Sequence, residues 1–238
     1  MNNWLSFSGG VFYHLKALFF GRDLWKDHLD HVAEFLQTWS PRSHHLILVG
    51  PSSGYAITSE FLAQFKKITV MEPDPLARWI FRKKYSKKLA PQTQLEVVAE
   101  KFLPERGLAE DAAVLFCNVL GQIEIKNLPL YRQQLLAVLE NREWASYHDA
   151  WSTKKNRFAP PVYRVSRLKT KPEEFKQWIK QEPNAWAVEL NQHLAFELFE
   201  AGGLARQFFY WEWRLTPDRA HLIEGVFCCH ENNRHEKK

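Results

Sequence analysis

The chain has 238 residues, 45% of them hydrophobic, with a formal net charge of +5. That length supports a single well-buried core, and no apolar run reaches the roughly 18–20 residues of a membrane span. Three cysteines, two of them adjacent (Cys117, Cys228 and Cys229), exclude a disulfide framework and point to a reducing, cytoplasmic setting. No basic segment leads into a long apolar stretch near Met1, so the sequence carries no secretory signature and no membrane partner is expected.

The first forty residues read as an amphipathic helical cap, from Phe12 to Phe20 and again from Leu24 to Trp39, ended by Pro41. A hydrophobic run from Leu46 to Val49 predicts the first strand. It stops at Gly50-Pro51-Ser52-Ser53-Gly54, a small-residue turn that lets a ligand approach the backbone. Ile57, Phe61, Leu62 and Phe65 recur near the 3.6-residue period and predict an amphipathic helix. Ile68 to Met71 is the second strand, with Glu72 at its carboxyl end. There a carboxylate is placed to accept hydrogen bonds from both hydroxyls of a ribose. Strand, turn, helix, strand and acid describe half of a nucleotide-type site.

Pro75 opens a further helix running to about Tyr85. Arg78, Arg82, Lys83, Lys84, Lys87 and Lys88 crowd it, a face able to attract phosphate-rich partners, although a solvated outer face is the plainer reading. Leu95–Ala99 and Ala113–Cys117 predict the third and fourth strands, and a helix from Leu130 to Asn141 leads to a fifth, Trp144–His148. This alternation predicts a parallel sheet covered on both faces. The pattern breaks down across 149–183, a variable excursion. A helix from about Ala185 to Ala201 then closes the chain back onto the core and stops at Gly202-Gly203. Gln207–Leu215 and His221–Cys229 form an antiparallel hairpin around Pro217-Asp218, and 231–238 is a polar tail.

Five βα units followed by a terminal antiparallel hairpin resemble the class I S-adenosylmethionine-dependent methyltransferases over about residues 44–230. Gly50 and Gly54 match the first and third glycines of that family's loop; Ser52 stands at the second, and Leu48 where the family carries an acid. Glu72 falls at the ribose-binding acid, and Glu100 near the adenine contact. DAAVLFCNVLG, residues 111–121, matches the fourth strand, whose end lines the methyl-transfer site. The resemblance implies an α/β, Rossmann-like, doubly wound, mostly parallel sheet with an N-terminal helical cap (1–40), a cofactor-binding half (41–150), the 149–183 excursion, and a closing helix and hairpin (184–230). It implies S-adenosylmethionine as cofactor, held by Gly50, Ser52, Ser53, Gly54, Glu72, Glu100 and Asn118. The dehydrogenase fingerprint Gly-x-Gly-x-x-Gly is absent from the turn.

A sulfonium-activated methyl needs an aligned nucleophile and exclusion of water rather than a covalent residue. His148 and Asp149, just past the fifth predicted strand, are the catalytic candidates, His148 as a general base or as a loop-bound structural histidine. Cys228-Cys229-His230 and His44-His45 lack metal-ligand spacing, so no metal is expected. The acceptor is open among small molecules, protein side chains and RNA. The substitutions at Leu48 and Ser52 keep a second reading in view, a non-catalytic binding or scaffold module on the same fold.

Overall fold

The computed structural model describes residues 10–120, 126–154, 191–192, 198–199, 206–217 and 219–228. Two helices open the described chain, α1 (Gly10–Phe20) and α2 (Lys26–Thr38). The strands β1 (His45–Val49), β2 (Lys67–Met71), β3 (Gln94–Val98) and β4 (Ala112–Cys117) then alternate with α3 (Ser59–Leu62) and α4 (Pro75–Tyr85). After α5 (Leu128–Leu139) come β5 (Trp144–Lys154), the short β6 (Asn191–Gln192) and the hairpin of β7 (Arg206–Thr216) and β8 (Arg219–Cys228).

The sheet order is β3-β2-β1-β4-β5-β8-β7, with β6 also on β5. The first five strands pair in parallel, and β8 pairs antiparallel with both β5 and β7. This is the expected Rossmann-like doubly wound sheet with a C-terminal hairpin. Its cause is legible in β1, where all five residues are buried and alternate sides. Leu46 and Leu48 enter the core beneath α1–α4, whereas Ile47 and Val49 enter the second core, which Leu135 and Leu139 of α5 share. Each such fully buried aliphatic side chain contributes about 1.5–3 kcal/mol relative to leaving it exposed.

The N-terminal cap is anchored by aromatic side chains rather than by aliphatic packing alone. The Trp25 indole N–H donates to the Leu215 carbonyl at 3.1 Å, and the Trp211 N–H donates to His28 Nδ1 at 2.9 Å. His28 also stacks on Trp213, with ring centroids 4.6 Å apart.

Three expectations are corrected. The helix predicted through Phe65 is only the four residues of α3, capped by Thr58, whose hydroxyl accepts the Phe61 N–H. Ile57, Phe61, Leu62 and Phe65 are all buried, so the 3.6-residue spacing marked burial and not a long helix. The fifth strand does not stop at His148 but runs to Lys154, because β8 continues alongside it beyond the end of β4. Within the predicted closing helix, Asn191 and Gln192 are extended and pair with Ser152 and Trp151, on the length of β5 that β4 leaves unpaired. Leu198 and Phe199 lie in a turn. The rest of that helix, most of the 149–183 excursion and the 231–238 tail fall outside the described residues.

Candidate cofactor site at the carboxyl edge of the sheet

The turn after β1 is held from three sides. Gly50 adopts φ 63°, Ser52 φ 51° and Gly54 φ 68°, so three of its five residues occupy the left-handed region. The Gly50 N–H donates to the Met71 carbonyl at 2.9 Å, which ties the turn to the end of β2. From the other side, Lys84 Nζ donates to the Gly54 carbonyl at 2.6 Å, and the Tyr85 hydroxyl lies 2.8 Å from the same oxygen. Burial, reinforced by neighbouring Lys88, lowers the Lys84 amine to about 8.

Glu72 sits where β2 ends, buried, with both carboxylate oxygens engaged. Oε2 accepts the Ser52 N–H at 2.8 Å and Oε1 the Asp74 N–H at 2.9 Å. Burial raises its pKa above the ordinary carboxylate value, and the two N–H donors work against that rise. A carboxylate oxygen has two lone pairs, so each retains one acceptor position after these bonds. Glu72 therefore fastens the turn and keeps capacity for a ligand hydroxyl.

At the end of β4, Asn118 takes φ 53° and its N–H donates to the Tyr147 carbonyl at 2.7 Å. Its side-chain Oδ1 accepts the Asp149 N–H at 2.9 Å. The amide nitrogen is thereby left as the donor end of the side chain. Ser53 is buried, with its hydroxyl 3.3 Å from His14 Nδ1, which in turn lies 3.1 Å from the Tyr55 hydroxyl. Glu100 is exposed, two residues beyond β3. The expected residues thus gather along the ends of β1, β2 and β4, with Glu100 at the margin by β3. Leu48, at the position of the family's acid, is buried in the first core.

His148 and Asp149 are not past the strand but within β5, and successive residues of a strand point to opposite faces. His148 is fully buried. Its Nδ1 is 2.9 Å from the Ser146 hydroxyl and its Nε2 is 3.2 Å from Glu224 Oε1, while the Tyr210 hydroxyl donates to Glu224 Oε2 at 2.7 Å. This chain crosses β5, β8 and β7 at neighbouring register positions. It is a buried cross-strand polar cluster, in which Nδ1 meets the Ser146 hydroxyl and Nε2 faces the Glu224 carboxylate without a hydrogen bond of its own. Asp149 faces the first core instead, its Oδ2 3.1 Å from His221 Nδ1.

Sequence reasoning missed Tyr13. It reaches down from α1, with its ring 6.0 Å from Tyr55 and 5.4 Å from Trp25. Burial, together with nearby Tyr55, Asp149, Glu72 and Cys117, pushes its phenol well above the ordinary value. Those neighbours belong to the segment after β1, the ends of β2 and β4 and the middle of β5, just beyond the last β4 pairing, so α1 lies across the carboxyl edge. A signal was present: Tyr13, His14 and Lys16 are the only polar-bearing side chains of an otherwise apolar helix.

No family model matches the chain, and no curated protein is similar to it. Solved structures are. The N-methyltransferase NodS from Bradyrhizobium japonicum WM9 superposes with a TM-score of 0.50 at 8% identity, covering 87% of this chain and 97% of that one. The methyltransferase domain of bacterial CtHen1-CN gives a TM-score of 0.48 at 14% identity, covering 87% of this chain and all of that one. Magnesium protoporphyrin IX methyltransferase ChlM from Synechocystis PCC 6803, with bound SAH, gives 0.48 at 12% identity, covering 86% and 85%. Element order, strand order and the superposition on NodS agree: the chain has the fold of the class I S-adenosylmethionine-dependent methyltransferases.

Proposed function

We propose that the chain binds S-adenosylmethionine along the ends of β1, β2 and β4 and transfers its methyl group to an acceptor. One observation carries the reading. The buried Glu72 carboxylate is fastened to the positive-φ turn through the Ser52 N–H while keeping an acceptor position on each oxygen. Glu72 would take the ribose hydroxyls there, and the main chain of Gly50, Ser52, Ser53 and Gly54 would follow the methionine end. Glu100 would stand at the adenine margin, and the Asn118 amide would donate to the cofactor's carboxylate. When bound, the cofactor supplies a methyl already activated by its sulfonium. Asp149 remains the candidate for holding an acceptor's proton or amine beside that methyl, while His148 positions β5 against β8. Small molecules, protein side chains and RNA all remain acceptor classes.

A second reading is favoured by Leu48: an aliphatic side chain sealed in the core stands where the family's loop-organising acid would be. On that reading the fold is a binding module without turnover. Calorimetric titration of the purified chain with S-adenosylmethionine and S-adenosylhomocysteine separates the two. Micromolar affinity supports the cofactor site; absence of heat with either, from a folded chain, overturns it in favour of the module.

A further inference from the structure

Helix α1 is apolar on both sides. Tyr13, Ala17 and Phe20 pack into the first core, yet the outward side chains are apolar as well. Leu18 is 76% exposed, Phe19 71%, Leu15 42% and Val11 39%. A helix at a protein surface normally turns polar side chains to water, so this stripe calls for a contact. Helix α4 covers the same core through Phe81 and Tyr85 and packs against α1, so the outer faces of the two helices look out from the same layer. There Trp79 is 57% exposed, with Lys83 Nζ 4.9 Å above its ring. Of the six Lys or Arg residues between Pro75 and Leu89, Arg78, Arg82 and Lys84 donate to main-chain carbonyls, whereas Lys83, Lys87 and Lys88 are exposed; neither this segment nor α1 contains an acid.

We infer that the outer face of α1 and α4 docks onto an anionic phospholipid surface, α1 lying in the plane of the interface and the α4 cations meeting headgroups. An apolar helix about 16 Å long matches interfacial insertion and not spanning. Among the described residues no helix is long and apolar enough to cross a membrane, which leaves surface docking untouched. The exposed tryptophan beside lysines is the amphipathic pairing that suits headgroup depth. Charge selects this occupant over a second copy of the chain. Two copies meeting on the stripe would bring their Lys83, Lys87 and Lys88 clusters together, whereas anionic headgroups neutralise them. The inference is independent of the proposed methyl transfer.

The test is co-sedimentation of the full chain with phosphatidylcholine vesicles, and with vesicles in which phosphatidylserine replaces about a third of the lipid. Binding to the anionic vesicles is expected to exceed binding to neutral ones by about tenfold or more, and to fall as salt is raised. Leu18→Glu with Phe19→Glu, and separately Lys83→Glu with Lys87→Glu, should each reduce it by about tenfold or more while leaving thermal unfolding unchanged. Salt competition on the unaltered chain reads the same charge dependence without any variant. No binding to anionic vesicles, or binding indifferent to the Leu18/Phe19 pair, overturns the inference. So does a dimer seen by light scattering that the Leu18/Phe19 pair dissolves in a chain that ignores vesicles. RNA binding that needs the lysines but not the stripe, without vesicle binding, overturns it in favour of a nucleic-acid face.

Discussion

Replacing Gly54 by alanine tests the account of the turn with a number worked from the structure. A Cβ at Gly54 would lie 2.7 Å from Phe81 Cε2 and 2.8 Å from both Phe81 Cδ2 and Tyr85 Cε2, at φ +68°. The left-handed conformation costs an alanine about 1–2 kcal/mol, and a stiffer unfolded chain offsets about 0.4–1 kcal/mol of it. Crowding against two packed rings adds about 1–3 kcal/mol, because Phe81 and Tyr85 are fully buried and have nowhere to move. Urea titration should therefore place Gly54→Ala below the unaltered chain by about 1–5 kcal/mol, and thermal unfolding by about 2–20 °C for a chain of this size. A stability equal to that of the unaltered chain would refute the packing of α4 against the turn.

Four further outcomes follow from the same structure. Glu72→Ala should weaken S-adenosylmethionine binding by about 1–3 kcal/mol through lost charge-assisted hydrogen bonds; unchanged calorimetric affinity in a folded variant removes Glu72 from the site. Tyr210→Phe should destabilise the fold by about 1–3 kcal/mol, since it takes the 2.7 Å donor from buried Glu224 Oε2, and urea titration reads the loss. His28, which burial lowers to about 3 from 6.5, is protonated more readily in the unfolded chain. Its share of stability is present above about 6.5 and is lost as pH falls toward 3, so a His28→Gln variant should show a flatter stability profile across that window. Lys84 is lowered to about 8 from 10.5, so the unfolded chain binds more protons in between and stability should rise with pH from 8 to 10.5. Lys84→Met should remove that rise; an identical slope in both proteins would contradict the amine's burial.

The strands were readable because each is a short run with apolar residues and a turn at its end. Leu46–Val49 and Ala113–Cys117 are continuous apolar runs because the sheet buries them on both faces. The hairpin was readable from Pro217-Asp218 between two β-rich runs. The extent of α3 was not, because Ile57 and Phe65 are buried by their turns as completely as a helix would bury them. Glu72, Gly50 and Gly54 were legible as residues of the sheet's carboxyl edge, since strand ends place them there without knowledge of the rest. The Ser146–His148–Glu224–Tyr210 chain was not, as its members meet only through β5–β8 and β8–β7 register across more than 70 residues of sequence. His148 accordingly read as a loop histidine, either a general base or a structural one. Tyr13 was hidden for the same reason: its neighbours are set by how α1 lies on the sheet edge.

Strand β5 has one parallel neighbour, β4, and two antiparallel ones, the two-residue β6 and the long β8, whose residues lie as far along as Phe227. A ribosome therefore releases β5 well before its long antiparallel partner exists. From the synthesis of Trp144 until that of Phe227, one edge of a buried, tryptophan-bearing strand is open to pairing with any extended chain nearby. Folding of the parallel half can proceed in that interval, but closure waits for the hairpin. Chains interrupted between Lys154 and Arg219 would thus carry a largely formed sheet with a sticky border, and aggregation rather than simple loss of stability would be their fate.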